Sequence, residues 1–270
     1  MADLRILSLG AGVQSSTLAL MIEKGEIPMV DAGIFADVGA EPPNVIDWLY
    51  WLKKQVSYPI YIVQQGNLKK DLEQVVKGNL QKVPIPFFSL SDNGSKGMNR
   101  RQCTADYKIK PVTQKIRQLL GLKKKQKVGK NIKVELLMGI SLDEVSRMKI
   151  NPLKYIHNIY PLIDKRLNRQ DCLKWFKKNY NVEPPRSACT FCPFHNNSEW
   201  IRLKKDKKLW EDVVKLEKAF HTNRDIIKKK TGIKDKIFFH RDCVPLDQVD
   251  FENENQLNLF ENECEGYCGN

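Results

Sequence analysis

Two short stretches of this 270-residue chain are equipped for chemistry. The first is Ser8-Leu9-Gly10-Ala11-Gly12-Val13-Gln14-Ser15-Ser16-Thr17, an apolar run that ends in a small-residue loop and opens into an amphipathic segment. Glycines let a backbone approach a phosphate, amides at a helix start point at it, and the helix dipole favours its charge. Ser8, Ser15, Ser16 and Thr17 add hydroxyl donors at the same place. The same residues fit a plain strand-to-helix turn with Ser15 or Ser16 as N-cap. The second stretch is Cys189-Thr190-Phe191-Cys192-Pro193. A C-x-x-C turn presents two thiolates to one metal or cluster, and two further ligands are then needed. Cys103 is flanked by Arg100, Arg101 and Lys108, cations that lower a thiol pKa or hold an anion. Cys243 follows His240-Arg241-Asp242 just after an apolar run. Cys172 lies within a helical pattern and reads as packing, so Cys103 and Cys243 are the better partners for Cys189 and Cys192. Four thiolates suit zinc or an iron–sulfur cluster equally.

The elements that must hold these residues alternate. Leu4–Leu9, Ala32–Asp37, Ile60–Val63 and Val134–Ile140 are predicted strands; Ser16–Lys24, a segment opened by Pro42 and Pro43, Leu68–Val76, Ile109–Leu120, a segment from Asn168 and Lys207–Phe220 are predicted helices. Such alternation predicts an α/β fold with a doubly wound, mainly parallel sheet and ligands at the carboxyl ends of its strands. The expected organisation is a nucleotide-binding α/β domain over 1–165, a helical cysteine-bearing part over 166–250 packed on it, and a mobile tail over 251–270. A 41% hydrophobic and 29% charged composition is that of a soluble globular protein. No apolar run reaches membrane-spanning length and the start lacks a signal-peptide layout, so a cytoplasmic protein with no membrane partner is expected. Seven cysteines in that compartment favour metal or redox chemistry over a disulfide framework. The net charge of +13, with lysines clustered at 123–127, 204–208 and 228–230, admits tRNA or DNA as a partner.

The chain resembles the phosphoadenosine phosphosulfate (PAPS) reductase family of the PP-loop, or adenine nucleotide alpha-hydrolase, group. Six blocks carry the resemblance, in order from the amino terminus: Ser8–Ser16; Phe35–Glu41; Arg101-Gln102-Cys103-Thr104 with Tyr107–Pro111; Gly139–Arg147; Tyr160–Ile163; and Cys189–Phe194. It is similar to reductase-like members met in phages and mobile elements. The resemblance implies a Rossmann-like sheet and an adenine nucleotide held by Ser8, Gly10, Gly12, Gln14, Ser15 and Ser16, with Gly139 in the fourth-strand block. It implies Asp37 near the ribose or a magnesium ion, Arg147 facing phosphate or sulfate, and Arg101 and Lys108 as further anion contacts. It also implies a [4Fe-4S] cluster on Cys103, Cys189 and Cys192, with Cys243 available as fourth ligand. Gln102 stands where the family's iron–sulfur branch has a second cysteine, and Gln14 where the family loop has an aspartate. Glu263-Cys264-Glu265-Gly266-Tyr267-Cys268 is similar to the family's carboxyl-terminal catalytic segment, which makes Cys264 and Cys268 the candidate catalytic thiols. A cysteine on a tail can attack sulfur and then be reduced by a thioredoxin-like partner. Three activities follow as expectations: a PAPS- or adenylyl-sulfate-reductase-like enzyme, an ATP-dependent PP-loop enzyme that adenylates or thiolates tRNA or DNA, and a zinc-stapled binding module without catalysis.

Overall fold

The computed structural model describes residues 2–252. β1 (Leu4–Leu9) leads into α1 (Val13–Glu23), followed by β2 (Ala32–Asp37), α2 (Pro43–Gln55), β3 (Ile60–Gln64), α3 (Leu68–Val76), β4 (Phe88–Leu90) and β5 (Lys96–Met98). A π-helical turn at Thr104–Ile109 runs into α4 (Lys110–Leu119) and β6 (Val134–Met138). A 3-10 turn at Leu142–Arg147 precedes β7 (Ile156–Ile159), α5 (Pro161–Asp164) and α6 (Arg169–Tyr180); α7 (Asn197–Lys205), α8 (Lys207–Thr222), α9 (Arg224–Thr231), β8 (Lys236–Phe238) and a 3-10 turn at Leu246–Gln248 follow. Two compact units interleave along the sequence: among the described residues one takes residues up to 65 and 104–187, the other 66–103 and 188–252.

The first unit is built on a five-stranded sheet in the order β3-β2-β1-β6-β7, with every pair parallel. Because side chains alternate across a strand, the sheet has two apolar faces. Leu7, Leu9, Phe35, Ile60 and Leu137 pack on one face with α1, α2 and α6. Ile6, Ile34, Ala36, Leu136 and Met138 pack on the other with Val112 and Ile116 of α4. Helices therefore cover both faces, and the doubly wound α/β architecture expected from the alternation is present. α1 is buried along almost its whole length, with the apolar Leu18–Ile22 half in the core and the polar Gln14–Thr17 half equally enclosed. α6 is started by a reciprocal capping box between Asn168 and Asp171 and stopped by Asn181 in the left-handed region.

The second unit carries a three-stranded antiparallel sheet, β5-β4-β8, together with α3 and α7–α9. Its strands are only three residues each, too short for an alternating pattern to be legible in sequence. Trp200 is fully buried, stacked beside Phe251 and met edge-on by the His195 ring. Glu217 of α8 is also buried, and its two carboxylate oxygens accept the backbone N–H groups of Phe239 at 2.8 Å and Leu246 at 2.7 Å. One carboxylate thus pins both ends of the segment that carries His240 and Cys243.

Burial pushes the Glu217 carboxyl up to about 7 against the pull of those two donors. A folded-state value above the unfolded one means the native protein holds more protons, so stability falls as pH rises from about 4.5 through about 7. Glu217→Gln should flatten that slope in thermal melts between pH 5 and 8. It should also cost about 1–3 kcal/mol, because an amide NH2 then meets a backbone N–H.

Candidate functional site

In the first unit the strand order reverses between β1 and β6, since β1 leads to β2 and β3 on one side and β6 leads to β7 on the other. In open α/β sheets ligands sit outside the carboxyl ends of the strands at such a reversal. Ser8 of β1 lies opposite Met138 of β6, so the Gly10–Gly12 loop and the Gly139–Ser141 segment leave the sheet side by side.

The first loop is more tightly built than its sequence implies. α1 starts at Val13 with Gly12 as N-cap, three residues before the predicted start, so neither Ser15 nor Ser16 is the cap. Ala11 makes this early entry by adopting the left-handed region at φ 59°. The first intrahelical bond runs from Ser16 N–H to Gly12 O at 3.0 Å, which leaves the Gln14 and Ser15 amides outside the helical ladder. Ser15 Oγ accepts the Gly10 N–H at 3.2 Å, which turns the hydroxyl back into the loop. Ser16 Oγ accepts the indole N–H of Trp48 at 2.9 Å and is tied to α2. No acidic residue occupies the first turn of α1. Helix-start amides, oriented hydroxyls and an undiluted dipole suit an anion. Ser8 Oγ and Gln14 Oε1 are buried with no hydrogen-bond partner among the described residues.

Gln14 couples this loop to the one after β6. Its side-chain amide lies 3.3 Å from Ser141 Oγ and 3.3 Å from Glu144 Oε2, as donor to both. The carboxylate of Glu144 can only accept, so the amide nitrogen must face it and the carbonyl oxygen must face away. The other Glu144 oxygen takes the Arg147 guanidinium at 2.6 Å, in a pair whose carboxylate side chain is only 3% exposed. Ser141 Oγ also donates to Asp143 at 2.6 Å, and Asp143 accepts the Arg169 N–H at 3.1 Å. An aspartate or glutamate at position 14 would set two carboxylates together in a buried place, whereas the neutral amide is matched to Glu144.

Asp37 ends β2, and its Oδ1 accepts the Gly39 N–H at 2.7 Å, holding the following turn with Gly39 at φ 71°. Lys108 lies in the π-helical turn and pairs with Glu41 at 3.6 Å, both side chains almost fully buried; Ser187 Oγ reaches the same carboxylate at 3.5 Å. Two expected anion contacts, Lys108 and Arg147, thus stand in pairs with carboxylates. Glu41 and Ser141 were not named as site residues in the sequence, and Glu144, with Asp143, resembles a family motif there but equally fits a cap on the following turn. The one cue was their place within the Phe35–Glu41 and Gly139–Arg147 blocks.

Arg101, Cys103, Cys189, Cys192 and Cys243 lie in the second unit. The Arg101 guanidinium lies over the Phe194 ring at 5.2 Å. Cys189 and Cys192 form a tight turn closed by Cys192 N–H to Cys189 O at 3.0 Å, and His195 Nε2 meets Cys189 O at 2.9 Å. Cys103, Cys189 and Cys192 are half-buried. Cys243 is buried beside Phe88 and Phe238, sits in the left-handed region at φ 56°, and places Sγ 3.7 Å from both Ser89 O and Arg241 O. Burial pushes its thiol pKa up, partly opposed by Lys96. Among the described residues no group of three or more Cys, His, Asp or Glu side chains stands at metal-holding separation. Cys172 is fully buried in the α6 core, as its helical context predicts. Cys264 and Cys268 lie outside the described residues. No helix among the described residues is long and apolar enough to cross a membrane.

The fold and the first unit's loops define an α/β domain in which the loops after β1 and β6 lie side by side at a strand-order reversal. Among solved structures, the phosphoadenylyl-sulfate (PAPS) reductase of Candida auris, in a phosphate complex, is similar to this chain at a TM-score of 0.42 and 13% identity, covering 68% of this chain and 74% of that one. No protein-family model matches the chain, and no curated protein does.

The Gln14–Glu144 contact makes a specific demand. Gln14→Glu should destabilise the fold by about 1–3 kcal/mol through a buried like-charge contact. Adding Glu144→Gln, which exchanges amide and carboxylate across the same contact, should recover more than half of the loss. Thermal melts of the two single variants and the double variant measure this.

Proposed function

We propose that this protein binds an adenine nucleotide in the crevice between the β1 and β6 loops and carries out PAPS-reductase-like, cysteine-dependent sulfur chemistry on it. The observation that carries the reading is the placement of the Gly10–Ser16 anion loop at the sheet's strand-order reversal, with Gln14 tying it to Ser141 and Glu144. In this reading the loop amides with Ser8 and Ser15 hold the phosphates, Asp37 lies toward the ribose or a magnesium ion, and Arg147 turns from Glu144 to the sulfate or phosphate. The Cys264 thiolate attacks the sulfate sulfur. An S–S bond forms, the S–O bond to the nucleotide phosphate breaks, and the nucleotide leaves with that electron pair. A thioredoxin-like dithiol then displaces sulfite and becomes oxidised.

Cys103, Cys189, Cys192 and Cys243 are the proposed donors for a [4Fe-4S] cluster or a zinc ion. No step above runs through such a group. Anaerobic purification followed by iron, sulfide and zinc analysis tests the donor set: stoichiometric metal that falls at least by half in Cys103→Ala supports it, and metal-free protein removes it.

Titration calorimetry with PAPS, adenylyl-sulfate and ATP, coupled to a sulfite assay with thioredoxin, tests the function. Adenine nucleotide binding and sulfite release from one of the two sulfonucleotides are expected. Cys264→Ser should abolish sulfite while leaving binding within about twofold, and Ser15→Ala should weaken binding by about 0.5–2 kcal/mol. Absence of binding by all three nucleotides would sink the proposal. ATP cleavage to AMP and pyrophosphate stimulated by tRNA or DNA, with no sulfite, would replace the reductase by the ATP-dependent transferase.

A further inference from the structure

The loop joining α4 to β6 lies at the amino-terminal end of the parallel sheet and concentrates one sign of charge. Between Asp106 and Glu135 the chain has no acidic residue. Lys123, Lys124, Lys125, Lys127, Lys130 and Lys133 are all exposed, while Leu122, Val128 and Ile132 are half-buried, Ile132 against the core.

This loop is tied rather than slack. The Arg117 guanidinium donates to the carbonyls of Lys123 and Gln126. Lys123 N–H donates to Gln126 Oε1 at 2.9 Å, and Gln126 N–H returns to Lys123 O at 3.1 Å. Lys125 sits in the left-handed region at φ 65°. One end is closed by Leu122 N–H to Arg117 O at 3.0 Å, the other by Lys133 N–H to Asp3 Oδ2 at 2.7 Å. The carboxylates of this end are themselves engaged: Asp3 with Lys133 N–H, Asp31 with Arg5 N–H, and Glu135 with the Arg5 guanidinium. Holding like charges in a fixed turn costs energy that a slack loop would relieve, and the fold draws no ion pair from them in return among the described contacts.

The charge does not serve the crevice. The loop enters β6 at Val134 and the crevice lies beyond Met138, so a five-residue strand, about 15 Å at roughly 3.3 Å per residue, separates the two. The loop has no aromatic residue for base stacking and no exposed large apolar residue for a membrane. What it offers is point charges on a rigid frame, the chemistry that neutralises backbone phosphates without reading sequence.

We propose that the 122–133 loop is a docking surface for the phosphodiester backbone of nucleic acid. It stands apart from the nucleotide reading, because its residues lie at the opposite end of the sheet.

The test uses the full chain and a fluorescein-labelled 30-base-pair DNA duplex, with binding followed by anisotropy from about 50 to 200 mM salt. The Lys123→Ala/Lys124→Ala/Lys125→Ala/Lys127→Ala variant should lower the steepness of log K against log salt by about three to four, near 0.9 per lost contact. Its affinity at 100 mM salt should fall at least tenfold. The Lys204→Ala/Lys205→Ala/Lys207→Ala/Lys208→Ala variant removes equal charge from the other unit and should stay within threefold of the parent. Melting temperatures check that both fold; should the first not, Lys124→Glu/Lys127→Glu replaces it. Three results would overturn the proposal: no saturable binding at 50 mM salt, equal losses in the two quadruple variants, or displacement of the duplex by polyglutamate at matched charge. The first two leave only net charge, and the third points to an acidic protein.

Discussion

Strand β1 is buried on both faces and paired in parallel on both edges, with β2 on one side and β6 on the other. Every other placement in the first unit descends from that constraint. A parallel pair needs a crossover that covers a face of the sheet, so a central strand with two parallel neighbours requires helices on both faces. Ile6 then serves one core and Leu7 and Leu9 the other. The reversal of strand order at β1 is what leaves two adjacent loops with no helix crossing between them. The adjacency of these loops is thus a by-product of how the sheet is wound, and Ser8, Gly10, Gly12 and Ser15 are placed there by topology.

Charge within this unit is handled by matching rather than by excess. Gln14 is neutral where it meets Glu144, Arg147 balances that carboxylate, and Lys108 balances Glu41 inside the core. Buried charges left alone would cost several kcal/mol each, so such pairs are what a low-dielectric interior tolerates. A ligand anion entering the crevice would compete with carboxylates for cations already oriented. The opposite end of the sheet follows another rule: its lysines are exposed, unmatched in number by carboxylates and held by backbone-directed contacts.

The second unit shows how non-local the setting of its cysteines is. Phe88–Leu90, Lys96–Met98 and Lys236–Phe238 form one antiparallel sheet although the last strand lies far along the chain. Glu217 reaches across to fix the chain on both sides of Cys243. Cys243 is set by that framework among aromatic side chains, whereas the Cys189–Cys192 turn is set by its own local hydrogen bond.

What was legible in the sequence was local. Leu4–Leu9, Ala32–Asp37 and Leu68–Val76 were marked by apolar runs or helical periodicity with clear stops, and they occur at those limits. The doubly wound sheet followed from their alternation, and the burial of Cys172 from its place in a helical pattern. The beginning of α1 was not legible, because it depends on Ala11 adopting a left-handed conformation that residue type disfavours. The partners of Gln14 and Lys108 were not legible either: Glu144 lies 130 residues beyond Gln14, and no local pattern encodes which buried carboxylate will meet which donor. The sequence by itself determined the elements, the small-residue Gly10–Gly12 loop and the cysteine turn, since backbone propensity and periodicity act over a few residues. Only the tertiary structure decided which loops share the crevice, which cations are already paired and how the two units interleave, because those are settled by packing and charge matching between residues far apart in the chain.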